Sequence, residues 1–156
     1  MILYHGTNEF FTSVDLLKCR IGKDFGIGFY MTADKSVAQR QAERKFVQWG
    51  NGEVRVFEYY WDSDNVSDLN ILRFEGYSVD WANFILENRQ NRTKHNHHQY
   101  DVVVGPIADD TIGFQIRRFQ DGIISIEQFL EEIKYHTVTI QYLFATERAV
   151  KTLKRL

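Results

Sequence analysis

Two short motifs near the start of the chain combine residue types that can do chemistry. The first, residues 3–7 (LYHGT), places His5 on an apolar run that stops at Gly6. The second, residues 24–34 (DFGIGFYMTAD), places Tyr30 behind two glycines at the start of another apolar run. An imidazole can hydrogen-bond a hydroxyl group and a flat phenol ring can stack, which suits a planar, sugar-bearing ligand. If the two runs are neighbouring strands, we expect both side chains to face one cleft.

Each of these residues also has a simpler structural interpretation. His5 can satisfy an internal hydrogen bond, and Thr7 can close the turn after the strand instead of binding a ligand. Because successive strand residues point to opposite faces, one of Phe29 and Tyr30 should lie in the core. The glycines before them allow close backbone approach, but they lack the third glycine of a dinucleotide loop and no Gly-Lys-Ser/Thr follows.

The composition predicts one soluble, cytoplasmic domain spanning residues 1–156. Hydrophobic residues make up 44% of the 156 residues and aromatic residues 15%, which favours a packed core over disorder. The formal charge of −2, from 19 basic and 21 acidic residues, gives no general attraction to nucleic acid or to an anionic membrane, although a local basic patch can still exist. Cys19 is the single cysteine, so neither an intramolecular disulfide nor a cysteine zinc site is expected. No signal-peptide or membrane-spanning pattern is visible.

The elements that would position the motifs follow from hydrophobic spacing and capping residues. The pattern predicts strands over residues 1–4, 29–32, 53–61, 100–105 and 137–146, and helices over residues 35–48 and 77–88, from Ser125 onwards and from Thr146 to the end. Residues 111–119 are expected to form another strand or hairpin arm, and residues 91–99 an exposed polar loop. Without a regular βαβ repeat, the order favours an α+β fold with a mainly antiparallel or mixed sheet.

The two motifs resemble those of the ADP-ribosyltransferase superfamily, in the His-Tyr-Glu branch that includes diphtheria-like toxins and poly(ADP-ribose) polymerases. In that branch a strand-borne histidine precedes Gly or Ser, and a later Gly-x-Tyr or Gly-Phe-Tyr strand follows. His5-Gly6-Thr7 and Gly28-Phe29-Tyr30 match these elements. More narrowly, the chain resembles the bacterial family DUF3990, whose pattern occurs here as LYHGT, KDFGIGFYMTAD, YDVVVGPIADD and QYLFATERAVKTL, in order over almost the full length.

The resemblance implies a split mixed or antiparallel sheet with flanking helices, and NAD⁺ as co-substrate without a metal. By carry-over, His5 holds the adenosine-side ribose, the Gly6 backbone contacts the nicotinamide amide, and Tyr30 stacks on the nicotinamide ring. The implied reaction transfers ADP-ribose to a macromolecule, protein or nucleic acid. The family also resembles the toxin half of bacterial toxin–antitoxin pairs, which implies a small antitoxin protein as partner.

Further NAD⁺-binding residues are expected around these motifs. They are Thr7, Arg20, Gly28, Phe29 and Asp109, with Arg20 placed to meet the pyrophosphate because an anion needs a cation or a backbone donor there.

The chain departs from the superfamily pattern at the third position, where Gln141 stands in place of the usual glutamate. A glutamine can hydrogen-bond a ribose hydroxyl, but it offers neither a charge nor a base. Asp110, with Asp109 beside it, follows a buried-type strand and is the candidate substitute carboxylate, and both aspartates can equally belong to a capped turn. NAD⁺ glycohydrolysis and non-catalytic binding of a nucleotide or protein therefore stay open as alternatives.

The polar stretch over residues 91–99 contains three histidines, at positions 95, 97 and 98, without a carboxylate or cysteine at metal-ligand spacing. A metal site is therefore not expected there. Together with Arg89, Arg92 and Lys94, these histidines are candidates for contact with an anionic substrate.

Overall fold

A mixed sheet of seven strands organises the chain in the computed structural model, which describes residues 1–156. The strands are β1 (Ile2–Thr7), β2 (Phe29–Thr32), β3 (Arg55–Trp61), β4 (Ile71–Arg73), β5 (Val102–Pro106), β6 (Ile140–Phe144) and β7 (Leu153–Arg155). The helices are α1 (Lys35–Trp49), α2 (Val79–Gln90), α3 (Asp110–Gln120), α4 (Ile126–Ile133) and α5 (Glu147–Val150), and one 3₁₀ turn covers Leu16–Lys18. The predicted α+β class with a mixed sheet is confirmed.

The strand order is β4-β5-β6-β2-β1-β3-β7, so β2 is the middle strand with three strands on each side. Only β4 and β5 run parallel; the other neighbours are antiparallel. β1 pairs with β3 over six registered residue pairs, whereas it pairs with β2 only through Tyr4 and Thr32. This short ladder, which we call the β1–β2 seam, divides the sheet into two halves.

Each face of the sheet carries its own hydrophobic cluster, as the alternation of strand residues requires. Val102 and Val104 point into the first cluster with Phe29, whereas Val103 and Leu143 point into the second. Loop residues close the first cluster: Phe11, Val14, Leu16, Val66 and Leu69. Side chains of α2, α3 and α4 close the second, and α1 packs against β1 on a separate part of the sheet.

Helix α1 is defined by its caps and by a very close approach to β1. The Asp34 carboxylate accepts from the backbone N–H groups of Ser36 and Val37, and the helix ends at Gly50, whose φ of 65° favours glycine. A Cβ placed on Gly6 would lie 1.9 Å from the carbonyl oxygen of Ala38. Glycine is therefore required where α1 crosses β1, and helix 35–48 was correctly predicted apart from one residue at its end.

A buried carboxylate joins the third and fourth sequence motifs. Asp101, at 3% side-chain exposure, accepts from the N–H of Asn70 at 2.8 Å, from the hydroxyl of Thr146 at 2.6 Å and from Nε of Arg148 at 2.7 Å. Hydrogen bonding from Arg148, followed by that from Thr146, lowers the pKa of Asp101 to about 2. These bonds fix the start of β5 against the segments before β4 and after β6.

Three predicted elements were wrong or missed. Residues 111–119 are not a strand but lie in α3, because the Asp109 carboxylate caps the helix at the N–H of Ile112 and residues 112, 113 and 116 are buried at helical spacing. The final helix stops at Val150, and β7 then fills the open edge of β3. β4 has only three residues, too few for a periodic pattern. No helix has the length and apolar character needed to cross a bilayer.

Substituting Gly6 by alanine should cost at least about 3 kcal/mol of unfolding free energy, because the new methyl group meets helix backbone that cannot rotate away. Urea unfolding followed by circular dichroism measures this. Gly76→Ala is the matched control, since nothing lies within 4 Å of a Cβ at Gly76. Equal unfolding midpoints for the two variants would show that α1 does not approach β1 as described.

Candidate functional site

His5 bridges the β1–β2 seam with its side chain. Its Nδ1 lies 2.7 Å from the carbonyl oxygen of Tyr30, and because a carbonyl only accepts, Nδ1 carries the proton. The imidazole stacks on Phe29, with 4.3 Å between ring centroids and 28° between the planes, and Phe11 meets it edge-on at 5.9 Å. Nε2 makes no hydrogen bond within the protein and is left as an acceptor.

The His5 imidazole is neutral at physiological pH. Burial, and next the positive charge of Lys45, lower its pKa to about 3, and the bond to the Tyr30 carbonyl only partly opposes this. A neutral ring with one free acceptor nitrogen can receive a hydroxyl proton in a hydrogen bond. It cannot act as an imidazolium acid near pH 7.

The hydroxyl of Tyr30 is used inside the protein. It accepts from the N–H of Phe25 at 2.9 Å and donates to the carbonyl of Gly26 at 2.8 Å. Burial is the main reason that its pKa lies well above the usual value for a phenol. Tyr30 therefore stabilises residues 25–28, which we call the glycine segment, just before β2. Its half-buried ring, rather than its hydroxyl, is the part available to a ligand.

The expectation that His5 and Tyr30 face one cleft does not hold in this structure. His5 stacks on Phe29, which belongs to the first hydrophobic cluster, whereas Tyr30 packs on the second, beside Leu143. The two side chains thus leave opposite faces of the sheet. They meet instead through the bond between the imidazole of His5 and the main chain of Tyr30.

Gly6 lies beneath α1, and its carbonyl accepts from Nζ of Lys45 at 2.7 Å. The pKa of this lysine falls to about 8, mainly through burial and then through the nearby charges of Lys23 and Arg20. Sequence reasoning missed Lys45, because an isolated lysine in a polar helix carries no pattern that separates it from a surface residue.

Gln141 is buried at 9% exposure and lies on the same face as Tyr30. It is paired with Thr32 of β2, two residues along the ladder from the pair formed by Tyr30 and Leu143. Its amide donates to the carbonyl of Pro106 at 3.4 Å, an oxygen that also accepts from the indole of Trp81 at 3.1 Å. The structure thus brings Gly6, Tyr30 and Gln141 onto three adjacent strands.

The remaining residues predicted to contact NAD⁺ have structural roles. Thr7 accepts from the N–H of Glu9 at 3.1 Å and closes the turn after β1. A Cβ on Gly28 would lie 2.5 Å from the carbonyl of Phe144, so this glycine permits the approach of β6. The Arg20 guanidinium lies 4.4 Å from the ring centroid of Trp49 and is exposed.

Neither candidate carboxylate reaches Gln141 by a hydrogen bond. Asp109 is the N-cap of α3, and it accepts from Ile112 at 2.9 Å. Asp110 is exposed in the first turn of the same helix, where a negative charge is favourable. The capped-turn interpretation therefore accounts for both residues as they stand here.

Residues 91–99 do not form a simple solvated loop, because two of their side chains hold the glycine segment. Asn96 accepts from the N–H of Ile27 at 2.6 Å and donates to its carbonyl at 2.8 Å. His98 donates through Nε2 to the carbonyl of Phe25 at 2.8 Å, which leaves Nδ1 to accept from the N–H of Tyr100. Polar composition alone could not reveal this clamp.

Two open clefts on the protein surface lie away from these residues. One, of about 600 Å³, lies between β4 and the start of α2 and includes Phe74, Tyr77 and Phe84. The other, of about 580 Å³, is an open depression on the outer surface of α1 near Arg40. No group of three or more histidine, cysteine, aspartate or glutamate side chains converges in an arrangement suited to a metal ion.

The fold and site define a class: an α+β protein in which a His-Gly strand, a Gly-Phe-Tyr strand and a glutamine strand are neighbours at the centre of a mixed sheet. The family described as "Protein of unknown function (DUF3990)" matches residues 1–155. The chain therefore belongs to DUF3990, which confirms the narrower of the two sequence resemblances. No curated protein matches the chain.

Nuclear magnetic resonance of the imidazole nitrogens checks the state of His5. At pH 7 Nδ1 should be protonated and Nε2 bare, and the ring should stay neutral between pH 7 and 5. Because the pKa is lower in the folded protein (about 3) than in the unfolded chain (6.5), the unfolding free energy from this residue declines as pH falls below 6.5. In the His5→Asn variant, the unfolding free energy should fall less steeply with decreasing pH, because this titrating group is absent. A His5 ring that titrates between pH 6 and 7 would contradict this description.

Proposed function

We propose that this protein is an NAD⁺-dependent ADP-ribosyltransferase that acts on a macromolecule. One observation carries the proposal: the three strands that bear the motif residues, β1, β2 and β6, are neighbours in the order β6-β2-β1 although they are distant in sequence. The His-Tyr-Glu resemblance places its three residues on separate strands, and those strands must be close together for the residues to bind one ligand. The short ladder at the β1–β2 seam also fits the split sheet that the resemblance implies.

Within this proposal, His5 binds the adenosine-side ribose through Nε2. Since Nδ1 already donates to the Tyr30 carbonyl, the ribose hydroxyl must be the donor and the imidazole the acceptor. The lowered pKa keeps Nε2 free of a proton at physiological pH.

The nicotinamide end lies on the other face of the sheet, beside Tyr30 and Gln141. An extended dinucleotide reaches both faces by crossing the end of the seam, where Gly6 of β1 and the start of β2 lie together. Lys45 bonds to the Gly6 carbonyl at this end, with Arg20 close to it. A pyrophosphate needs positive charge at that point, and these two cations supply it.

The reaction breaks the bond between C1′ of the ribose and the nicotinamide nitrogen. Nicotinamide leaves with the bonding electron pair, and a nucleophile of the acceptor then bonds to C1′ and loses its proton. Between these events the ribose carries positive charge, which a carboxylate would stabilise more strongly than an amide. Gln141 orients the ribose by hydrogen bonding, so we expect slow transfer from the natural protein.

A second candidate, binding of NAD⁺ or ADP-ribose without turnover, is favoured by the chemistry around Gln141. Its amide meets the Pro106 carbonyl rather than an acid, Asp109 is engaged as a helix cap and Asp110 is exposed. The antitoxin partner implied by the resemblance stays a prediction.

Incubation with NAD⁺ labelled on the adenylate phosphate, together with separated protein, RNA and DNA fractions, tests the proposal. We expect nicotinamide release and a label on one fraction. His5→Ala should reduce nicotinamide release at least about tenfold through the lost ribose hydrogen bond. His136→Ala, which changes a half-buried histidine after α4 that makes no side-chain hydrogen bond, should not alter it. Thermal unfolding of both variants shows that each is folded.

The products separate the alternatives. Free ADP-ribose as the only product would identify a glycohydrolase. NAD⁺ binding by calorimetry with no nicotinamide released, and turnover gained in Gln141→Glu, would support the binding protein and exclude transfer. Absence of both binding and release in every fraction would contradict NAD⁺ as the ligand.

A further inference from the structure

Six cationic side chains from three separate parts of the chain gather along one side of the protein. They come from the loop before β2, from α1, and from α2 with the segments that follow it. We call them the basic band: Arg20, Lys23, Lys45, Arg89, Arg92 and Arg117.

Contacts recorded around two glycines show that the band is continuous. A Cβ on Gly22 would lie 3.2 Å from the guanidinium of Arg92, and Gly22 stands between Arg20 and Lys23 in sequence. The same Cβ would lie 3.5 Å from the carbonyl oxygen of Arg89, which links these residues to the next cations around Gly113 of α3. A Cβ there would lie 3.4 Å from the guanidinium of Arg89 and 3.8 Å from that of Arg117.

Most members of the band lack an ion-pair partner, although the charge of Glu9 lies near Lys45. Of its six members only Arg89 forms an ion pair, with Asp24 at 2.7 Å; the protein's other four ion pairs lie elsewhere. The pKa of Lys45 is lowered mainly by burial and next by the positive charges of Lys23 and Arg20, because these three cations lie close together. In a chain of net charge −2, such a surface is a local concentration of charge rather than a general basicity.

Exposed aromatic side chains adjoin the band at the end of α1. Trp49 is 48% exposed and Phe46 40% exposed. The Arg20 guanidinium lies over the Trp49 ring, 4.4 Å from its centroid, so the aromatic surface and the band are in direct contact. A line of cations beside a stacking ring matches the recognition of a phosphodiester backbone with unpaired bases.

We propose that the basic band binds single-stranded nucleic acid, with backbone phosphates on Lys23, Arg89, Arg92 and Arg117 and a base against Trp49, while Arg20 and Lys45 form the end of the band nearest the NAD⁺ pyrophosphate. The band passes the end of the β1–β2 seam through Lys45 and the Gly6 carbonyl. The bound strand would therefore lie beside the site, as the acceptor of ADP-ribose; this last step rests on the proposed function. An acidic polypeptide is less suited, because it offers no base to stack on the ring.

Fluorescence anisotropy without NAD⁺ tests the binding, with labelled single-stranded RNA and DNA of about 20 nucleotides. Each lost phosphate contact should reduce the salt slope of log K by about 0.7 for a single strand, so Arg92→Gln/Arg117→Gln should weaken binding roughly tenfold and lower the slope by about 1.4. The double variant Lys151→Gln/Lys154→Gln removes the same charge from exposed, unpaired lysines elsewhere and should leave the affinity nearly unchanged.

Two further comparisons test the stacking. Trp49→Ala should weaken binding at least about fivefold, whereas Val47→Ala, a change at an exposed apolar residue of the same helix, should not. The nucleic acid that binds more tightly, RNA or DNA, identifies the type of strand that the basic band recognises.

The proposal would be overturned by the absence of binding at low salt, by equal losses in the two double variants, by equal affinity for duplex, or by equal competition from polyglutamate. These binding measurements contain no NAD⁺ and are therefore independent of catalysis. If the protein binds the nucleic acid but transfers no ADP-ribose to any fraction, the binding proposal stands and only the proposed function is refuted.

Discussion

The hydrogen bond from His5 Nδ1 to the Tyr30 carbonyl spans the shortest ladder of the sheet, and the arrangement of both halves depends on it. β1 pairs with β3 over six residues, and β2 pairs with β6 over four residues. Between β1 and β2 a side chain supplies the donor that a neighbouring strand would otherwise offer. The half-buried imidazole donates through Nδ1, and its environment keeps the ring neutral, so that Nε2 stays an acceptor. One residue thus links the two halves and retains a free nitrogen for chemistry.

Much of the fold could be predicted from the sequence because its local signals agree with its tertiary contacts. Asp34 and Gly50 mark the ends of α1, and the capping residue Ser125 marks the start of α4. The wrong secondary-structure predictions concern segments whose conformation is decided by tertiary contacts. Residues 111–119 are rich in apolar and β-branched types, and only the cap from Asp109 and the packing of one face show them to be helical. β7 forms because β3 leaves an edge open, which no local pattern records.

The sequence motifs pointed to three strands that prove to be neighbours, but they did not reveal how the side chains on those strands are arranged. Motif spacing led to His5, Tyr30 and Gln141, and their strands are indeed adjacent. Which face each side chain takes depends on the pairing of β2 with its two neighbours, which a motif does not encode. The same holds for Asn96 and for Lys45, whose roles come from a carbonyl or amide distant in sequence.

In the proposed function, NAD⁺ lies across the end of the β1–β2 seam, with its adenosine ribose at His5. A crystal structure with a carbocyclic NAD⁺ analogue, which cannot lose nicotinamide, tests it most directly. We predict that a ribose hydroxyl lies within hydrogen-bond distance of His5 Nε2 and that the nicotinamide ring lies on the Tyr30 side of the sheet. The hydrogen bond from His5 Nδ1 to the Tyr30 carbonyl should be retained. Density for the analogue elsewhere, for example in the cleft at Phe74, or no density at saturating concentration, would contradict it.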